Sequence, residues 1–258
     1  MSANLLEARK ITMQFGGLKA VDSLDFQIKS GELIGLIGPN GAGKTTVFNM
    51  LTGVYQPTAG EVYFNGQILA GKKPYQISHL GMTRTFQNIR LFKELTVLEN
   101  VMIAGAQHLS YGLLSAVLMN KLFEAEEKML RDHALSLLAI FGMEKKANAP
   151  SSALPYGEQR KLEIVRAMAT KPKLICLDEP AAGMNHQETH DLMDTIAKIR
   201  KDFNLTVLLI EHDMKLVMGI CERIIVVDHG CKIEEGTPTI IQKSQRVIEA
   251  YLGVEEDS

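Results

Sequence analysis

Residues 33–53 read LIGLIGPNGAGKTTVFNMLTG. The apolar run Leu33, Ile34, Leu36 and Ile37, with Gly35 inside it, has the length and composition of a strand buried on both faces. The stretch that follows reads as a helix closed by Gly53. Between them Gly38, Pro39, Asn40, Gly41, Ala42, Gly43, Lys44, Thr45 and Thr46 contain G-x-x-x-x-G-K-[ST], the phosphate loop. Its glycines let successive backbone N–H groups turn inward around phosphate oxygens, and the helix that starts near Lys44 points its positive end at them. Lys44 is expected to reach the β- and γ-phosphates, and the Thr45 hydroxyl to ligate Mg²⁺.

That pattern needs a second half, a buried strand that delivers carboxylates to its C-terminal end. Leu174 to Leu177 is such a run, and it ends in Asp178-Glu179-Pro180. Asp178 is expected to hold Mg²⁺, directly or through water, and Glu179 to polarise the attacking water, because phosphoryl transfer needs an oriented nucleophile and neutralised charge. A third run, Val207 to Ile210, ends at Glu211-His212. Two readings of His212 stand at this point, a surface residue or an imidazole that donates to the γ-phosphate.

The rest of the chain divides around these runs. Residues 5–28 alternate in polarity over two segments separated by Gly16-Gly17, which predicts antiparallel strands. Phe15, just before that turn, is either a core aromatic or a platform for a purine ring. Asn65-Gly66 between Glu61–Phe64 and Gln67–Leu69 predicts a hairpin. Met82–Gln87 reads as a short strand ending on a glutamine. Thr96 and Glu99 form a capping-box pattern that opens a helix at Val97, and the pattern stays helical to Thr170. Within it, Leu122, Ala125, Met129, Ala134, Leu137, Leu138 and Phe141 are expected on one core face, with the methionines as core filler. A helix over Gln187–Lys201, a strand over Ile224–Val227, a turn at Gly230, a helix over Ser244–Leu252 and a solvated acidic tail, Glu255 to Ser258, complete the order.

Composition narrows the class. With 258 residues, 46% hydrophobic and 22% charged, the chain has material for a large core, and a net charge of −2 gives no global field for nucleic acid. No apolar run approaches the roughly 18–20 residues that span a bilayer, and no signal-peptide pattern opens the chain, so a cytoplasmic location is expected. Cys176, Cys221 and Cys231 lack zinc or C-x-x-C spacing, so neither disulfide nor structural metal is expected.

Taken in order, Phe15, GPNGAGKTT, the glutamine of RTFQ, LPYGEQRKLEIVRA, LDEP, AAGMN and IEHD resemble the motif series of the ATP-binding subunits of ABC transporters over the whole chain. The resemblance implies an α/β P-loop NTPase fold with a RecA-like core, an antiparallel β subdomain and a helical subdomain. It implies one nucleotide-binding domain over 1–258: residues 1–87 as the first part of the core plus the β subdomain, 88–170 as the helical subdomain, and 171–258 as the second part of the core and a C-terminal helix. ATP and Mg²⁺ are the implied ligands, with Phe15 stacking on adenine, Gln87 touching Mg²⁺ and water, and His212 sensing the γ-phosphate.

Two positions depart from the family pattern. Leu154, Pro155, Tyr156, Gly157 and Glu158 stand where the family's signature reads LSGGQ, so proline replaces the serine that touches a partner's ATP. Asn185 in AAGMN replaces an aspartate. Both segments act across a dimer interface, which implies a heterodimer with a second ABC ATPase whose signature is unaltered.

Within the family the chain is similar to LivG-type ATPases of branched-chain amino acid importers, a likeness carried by TRTFQNIRLFKELTVLENV, DEPAAGMN and the terminus IEAYLG. Urea or amide importers and the lipopolysaccharide exporter share much of it, and a soluble non-transport ABC ATPase is a more distant alternative. The importer reading implies two transmembrane permease subunits, an external solute-binding protein acting indirectly, no nucleic acid, and a peripheral place on the cytoplasmic face of the inner membrane. Ile89, Leu91 and Phe92, beside Lys93 and Glu94, are either the groove that holds the permease or residues that pack into the helical insert.

Overall fold

The computed structural model describes residues 4–252 and the side chains of all of these but 113 and 114, so the acidic tail read at Glu255 to Ser258 lies outside the described residues. In chain order the elements are β1 (Asn4–Phe15), β2 (Leu18–Lys29), β3 (Leu33–Ile37), α1 (Lys44–Leu51), β4 (Ala59–Phe64), β5 (Gln67–Ile68), α2 (Pro74–Leu80), β6 (Met82–Arg84), α3 (Val97–Gly105), α4 (Leu113–Val117) and α5 (Lys121–Ile140). They continue as α6 (Tyr156–Ala169), β7 (Leu174–Asp178), α7 (His186–Asp202), β8 (Thr206–Ile210), α8 (Met214–Ile220), β9 (Arg223–Asp228), β10 (Cys231–Gly236), α9 (Pro238–Lys243) and α10 (Gln245–Leu252).

Two compact units result. One takes Met1–Arg84, Lys173–Pro180 and Ile196–Ser258, the other Thr85–Pro172 and Ala181–Thr195. The first holds both sheets. Its six-stranded sheet has the order β10-β9-β3-β8-β7-β6, and the run from β9 to β6 is parallel. Every residue of β3, β7 and β8 is buried, as expected of strands covered on both faces. The second sheet, β2-β1-β4-β5, is antiparallel. Asn65 at φ 50° and Gly66 at φ 74° turn β4 into β5 with both central residues left-handed, the geometry that the Asn-Gly pair predicts.

The other unit is helical. Thr96 accepts from the Glu99 amide at 3.2 Å while Glu99 accepts from the Thr96 amide at 2.8 Å, so the predicted capping box opens α3. Val97, Val101, Leu137, Leu138, Leu162 and Val165 are buried along α3, α5 and α6.

Three sequence expectations need correction. The strand read over Met82–Gln87 stops at Arg84, because the backbone carbonyls of Phe86 and Gln87 accept from Arg160 instead of extending a ladder. The apolar stripe of α5 is buried only in its C-terminal half: Ala134, Leu137 and Leu138 are covered, whereas Leu122 is 47% and Met129 71% exposed. Methionines of this unit are accordingly not all core filler, since Met143 and Met168 are buried and Met119 and Met129 are open to solvent. Helices α2, α8 and α9 carry little periodicity in their six or seven residues and had no expectation attached.

Burial pushes the thiols of Cys176 and Cys221 up to about 12, and Cys231 is exposed. The native chain should therefore react with a maleimide at Cys231 alone within minutes at pH 7.5, and with all three cysteines after denaturation, as counted by intact mass.

Candidate nucleotide site

Three neighbouring strands of the first unit end side by side. Leu36 pairs with Ile210 and Asp178 pairs with Ile210, so β3, β8 and β7 deliver the residues after them to one edge of the sheet. Beyond β3 the chain enters the loop Gly38–Thr46. Gly38 has a φ of 155°, and a Cβ there would lie 2.0 Å from the Val227 carbonyl oxygen. Gly43, the N-cap of α1, has a φ of 97°, and a Cβ there would lie 2.5 Å from the Ala20 carbonyl oxygen. Both positions thus admit only glycine, which is the physical content of the motif spacing. Pro39 and Ala42 are buried, while Asn40, Gly41 and Thr45 are exposed and Thr46 is half-buried. No side chain caps α1 and its first turn holds no acidic residue, so the positive end of the helix is left for an external anion.

Lys44 folds over this loop. Its Nζ donates to the carbonyls of Gly38 at 2.6 Å and Pro39 at 2.8 Å. Burial lowers its pKa, and the carboxylates of Glu179 and Asp178 pull in the opposite direction. The same cation therefore senses both halves of the site.

Asp178 ends β7 with only 4% of its surface exposed. Arg84, which ends the adjacent β6, places Nη2 3.3 Å from Asp178 Oδ2 and donates through Nη1 to Asn49 Oδ1 at 2.7 Å and Thr52 Oγ1 at 3.1 Å. One guanidinium thus ties the buried carboxylate to the last turn of α1. Glu179 follows with a φ of 46°, a strained value for a residue with a side chain, held by its amide donating to the Ile210 carbonyl at 2.9 Å. His212 lies with Nδ1 3.8 Å from Glu179 Oε1 and its side chain 64% exposed. Phe15, 46% exposed, meets the edge of the Tyr55 ring at 5.5 Å between centroids. It is therefore an open aromatic face and not a core residue.

The site residues Lys44, Asp178, Glu179 and His212, and Thr45 with them, fall in this unit. Gln87 and Leu154 to Glu158 fall in the helical unit. There Pro155 precedes α6 without a side-chain cap, and Tyr156 is 47% exposed. Glu158 pairs with Lys146 at 2.6 Å. Asn185 accepts from the Glu188 amide and donates its own amide to the Glu188 carboxylate, both at 3.0 Å, so it caps α7 as an aspartate does. That departure from the family pattern costs no local structure. Reasoning from sequence overlooked Arg84 and Tyr55. A lone arginine three residues before the glutamine carries no motif, and only strand pairing shows which carboxylate it meets.

The donor set at Thr45 and Asp178 is oxygen only, the chemistry a hard dication takes. Among the described residues no three His, Cys, Asp or Glu gather as a complete metal site. Such an ion fits here as one bound through few protein ligands plus phosphate oxygens, which is the habit of Mg²⁺.

The family model described as ABC transporter matches residues 21–182, and that described as branched-chain amino acid ATP-binding cassette transporter matches residues 231–257. The chain is similar to the high-affinity branched-chain amino acid transport ATP-binding protein LivG of Escherichia coli K12, with 48% identity over 253 residues, 98% of this chain and 99% of that protein. It is 46% identical to the corresponding protein BraF of Pseudomonas aeruginosa over the same shares of both chains. Among solved structures, the ADP conformation of MJ1267, an ATP-binding cassette of an ABC transporter, superposes with a TM-score of 0.84 at 30% identity, covering 98% of this chain and all of that one.

Arg84→Met removes one charge partner of the buried Asp178 carboxylate and should lower unfolding stability by about 1–3 kcal/mol. Denaturant melts of the two proteins check this.

Proposed function

Since the chain belongs to the ABC transporter family of ATP-binding proteins and is an ATPase coupled to transport, we propose that it is the subunit that powers an importer of branched-chain amino acids. The observation that carries the reading is near-complete coverage at 46–48% identity by relatives described as high-affinity branched-chain amino acid transport proteins, joined by the separate match over residues 231–257. The fold is the α/β P-loop fold of such cassettes, with its antiparallel sheet and helical part. We take the two compact units as parts of one nucleotide-binding domain.

In this reading the loop Gly38–Thr46 cradles the phosphates of ATP with backbone N–H groups, and Lys44 exchanges its carbonyl partners for phosphate oxygens. Thr45 and Asp178 hold Mg²⁺, with Gln87 as a further contact, and the ion supplies neutralisation of charge on the phosphate oxygens. Glu179 accepts a hydrogen bond from the water that attacks the γ-phosphorus as the bond to ADP breaks. His212 donates to the γ-phosphate and rests near Glu179 while it does so. Phe15 stacks on adenine, and its edge contact with Tyr55 sets the plane of the ring. Supporting this assignment, Lys44, Asp178, Glu179 and His212 converge in one unit by strand pairing alone.

Leu154, Pro155, Tyr156, Gly157 and Glu158 face the ATP of a second ABC ATPase. With proline at the serine position that contact rests on backbone groups at the start of α6, so the partner is a different subunit with an intact signature. Ile89, Leu91 and Phe92 meet a permease. Phe92 is 48% exposed, as a docking residue must be. No helix among the described residues is long and apolar enough to cross a membrane. In this reading the chain attaches to the cytoplasmic face of the inner membrane through two permease subunits, with a solute-binding protein acting from outside.

Affinity purification of the tagged chain from detergent-solubilised membranes tests the assembly: integral membrane proteins and a second, non-identical ATPase should be retained. Recovery of a homodimer free of membrane proteins would sink the reading. Glu179→Gln should keep ATP affinity within about twofold and slow turnover roughly a hundredfold or more, measured by equilibrium binding and phosphate release.

A further inference from the structure

The last turn of α10 brings a phenol to the back of the phosphate loop. The Tyr251 hydroxyl is buried and has no hydrogen-bond partner. A phenylalanine would fill the same space without burying an unsatisfied polar group, so packing alone gives the hydroxyl no use. Burial pushes its pKa up to about 12, the Gly38 backbone opposes that rise, and the Asp228 carboxylate adds to it. A backbone group that favours the phenolate is a donor, so the side of Gly38 that faces the oxygen is its N–H.

Strand pairing makes these groups neighbours. Gly38 follows β3 and Asp228 ends β9, and the two strands pair through Ile37 and Val226. Gly38 is wedged against the carbonyl of Val227, the residue before Asp228. The turn after β9 backs the loop a second time, since the Gly230 amide donates to the Ala42 carbonyl at 3.1 Å. Asp228 Oδ1 lies 3.8 Å from the His229 imidazole, beyond hydrogen-bond range, which leaves its carboxylate able to accept. Beside the Tyr251 ring, Met214 and Met218 of α8 and Ile248 and Leu252 of α10 line a groove of about 410 Å³. The ring therefore has room to shift toward a bond that its hydroxyl does not yet make. All of these residues belong to one compact unit.

A phenol hydroxyl can accept and donate at once. We propose that Tyr251 is a positioning residue of the phosphate loop, its hydroxyl accepting from the Gly38 N–H and donating to the Asp228 carboxylate when the loop closes on the phosphates of ATP. The inference rests on the reading of residues 38–46 as the phosphate cradle. In the structure Lys44 Nζ holds the Gly38 carbonyl at 2.6 Å, and release of that carbonyl as Lys44 turns to phosphate oxygens frees the Gly38 backbone to adjust. Because the bridge forms only with nucleotide, it strengthens nucleotide binding and adds nothing to the stability of the chain without it. By linkage, bound nucleotide holds α10 in place to the same extent that α10 favours the nucleotide. The C-terminal helix, more than 200 residues beyond the loop in sequence, thereby acts at the ATP site.

Full-length protein in a Glu179→Gln background tests this by equilibrium binding of Mg-ATP and by thermal melting without nucleotide. Tyr251→Phe should weaken ATP binding about tenfold, the factor for one net hydrogen bond. Its melting temperature should equal or exceed the parent's, because only an unpartnered polar group is lost. Amide hydrogen exchange over 245–252 should slow at saturating Mg-ATP in the parent and respond far less in Tyr251→Phe. Asp228→Asn keeps the shape but offers a weaker acceptor, and its ATP affinity should fall between the two. Equal ATP affinity in the parent and Tyr251→Phe overturns the positioning role while the ATP reading stands. A lower melting temperature in Tyr251→Phe, with or without a loss of affinity, places the hydroxyl in folding and overturns it as well. Failure of the parent to bind Mg-ATP overturns the reading of the loop and the role of Tyr251 with it.

Discussion

Parallel pairing of β3, β8 and β7 is the constraint on which the molecule depends. These strands are buried from end to end, so a charged residue has no place within them and can appear only where they stop. The register aligns the stops: Asp178 stands opposite Ile210, and Ile210 opposite Leu36. A phosphate loop, two carboxylates and an imidazole from distant parts of the chain therefore meet without any loop having to find them. A slip of one residue in either pairing would turn the strands' side chains to opposite faces and carry Asp178 away from Lys44.

The cost of this arrangement is a carboxylate held at 4% exposure. Arg84 compensates it from the neighbouring strand and is itself oriented by Asn49 and Thr52 of α1, so charge neutralisation and the fixing of α1 to the sheet are one interaction. Glu179 follows the opposite rule. It is partly open, its backbone is held at a left-handed φ with its amide bonded to β8, and Lys44 and His212 are its charged neighbours. Two adjacent acids thus have different environments, which suit the roles proposed for them, one toward a dication and one toward water.

The helical unit solves a different problem. Its segment after Arg84 has no ladder to satisfy it, and backbone groups without partners are expensive when covered. Charged side chains of α6 take that place. They do so by bonding to the main chain of the segment and not to its side chains. The rigidity is local, built from a guanidinium and a carboxylate that would each be stranded by separation.

Much of this was legible in the residues themselves. The phosphate loop, the carboxylates after Leu177, the hairpin at Asn65-Gly66 and the capping box at Thr96 are local signals, since each is set by backbone conformations that few residue types adopt or by donors and acceptors a few positions apart. Periodicity misjudged the first half of α5, where apolar residues repeat at helical spacing but the described residues leave Leu122 and Met129 largely uncovered. It also carried β6 too far, because apolar character at Phe86 cannot reveal that Arg160 will claim its carbonyl. Arg84, Tyr55 and the Arg160–Glu163 pair had no signal at all. What the amino-acid order determines by itself is the chemistry present and the short-range geometry that displays it. Which charge meets which, and which backbone group is left needing a side chain, was decided only when strands and helices far apart in the chain came together, because burial and pairing are properties of the folded neighbourhood and not of any segment.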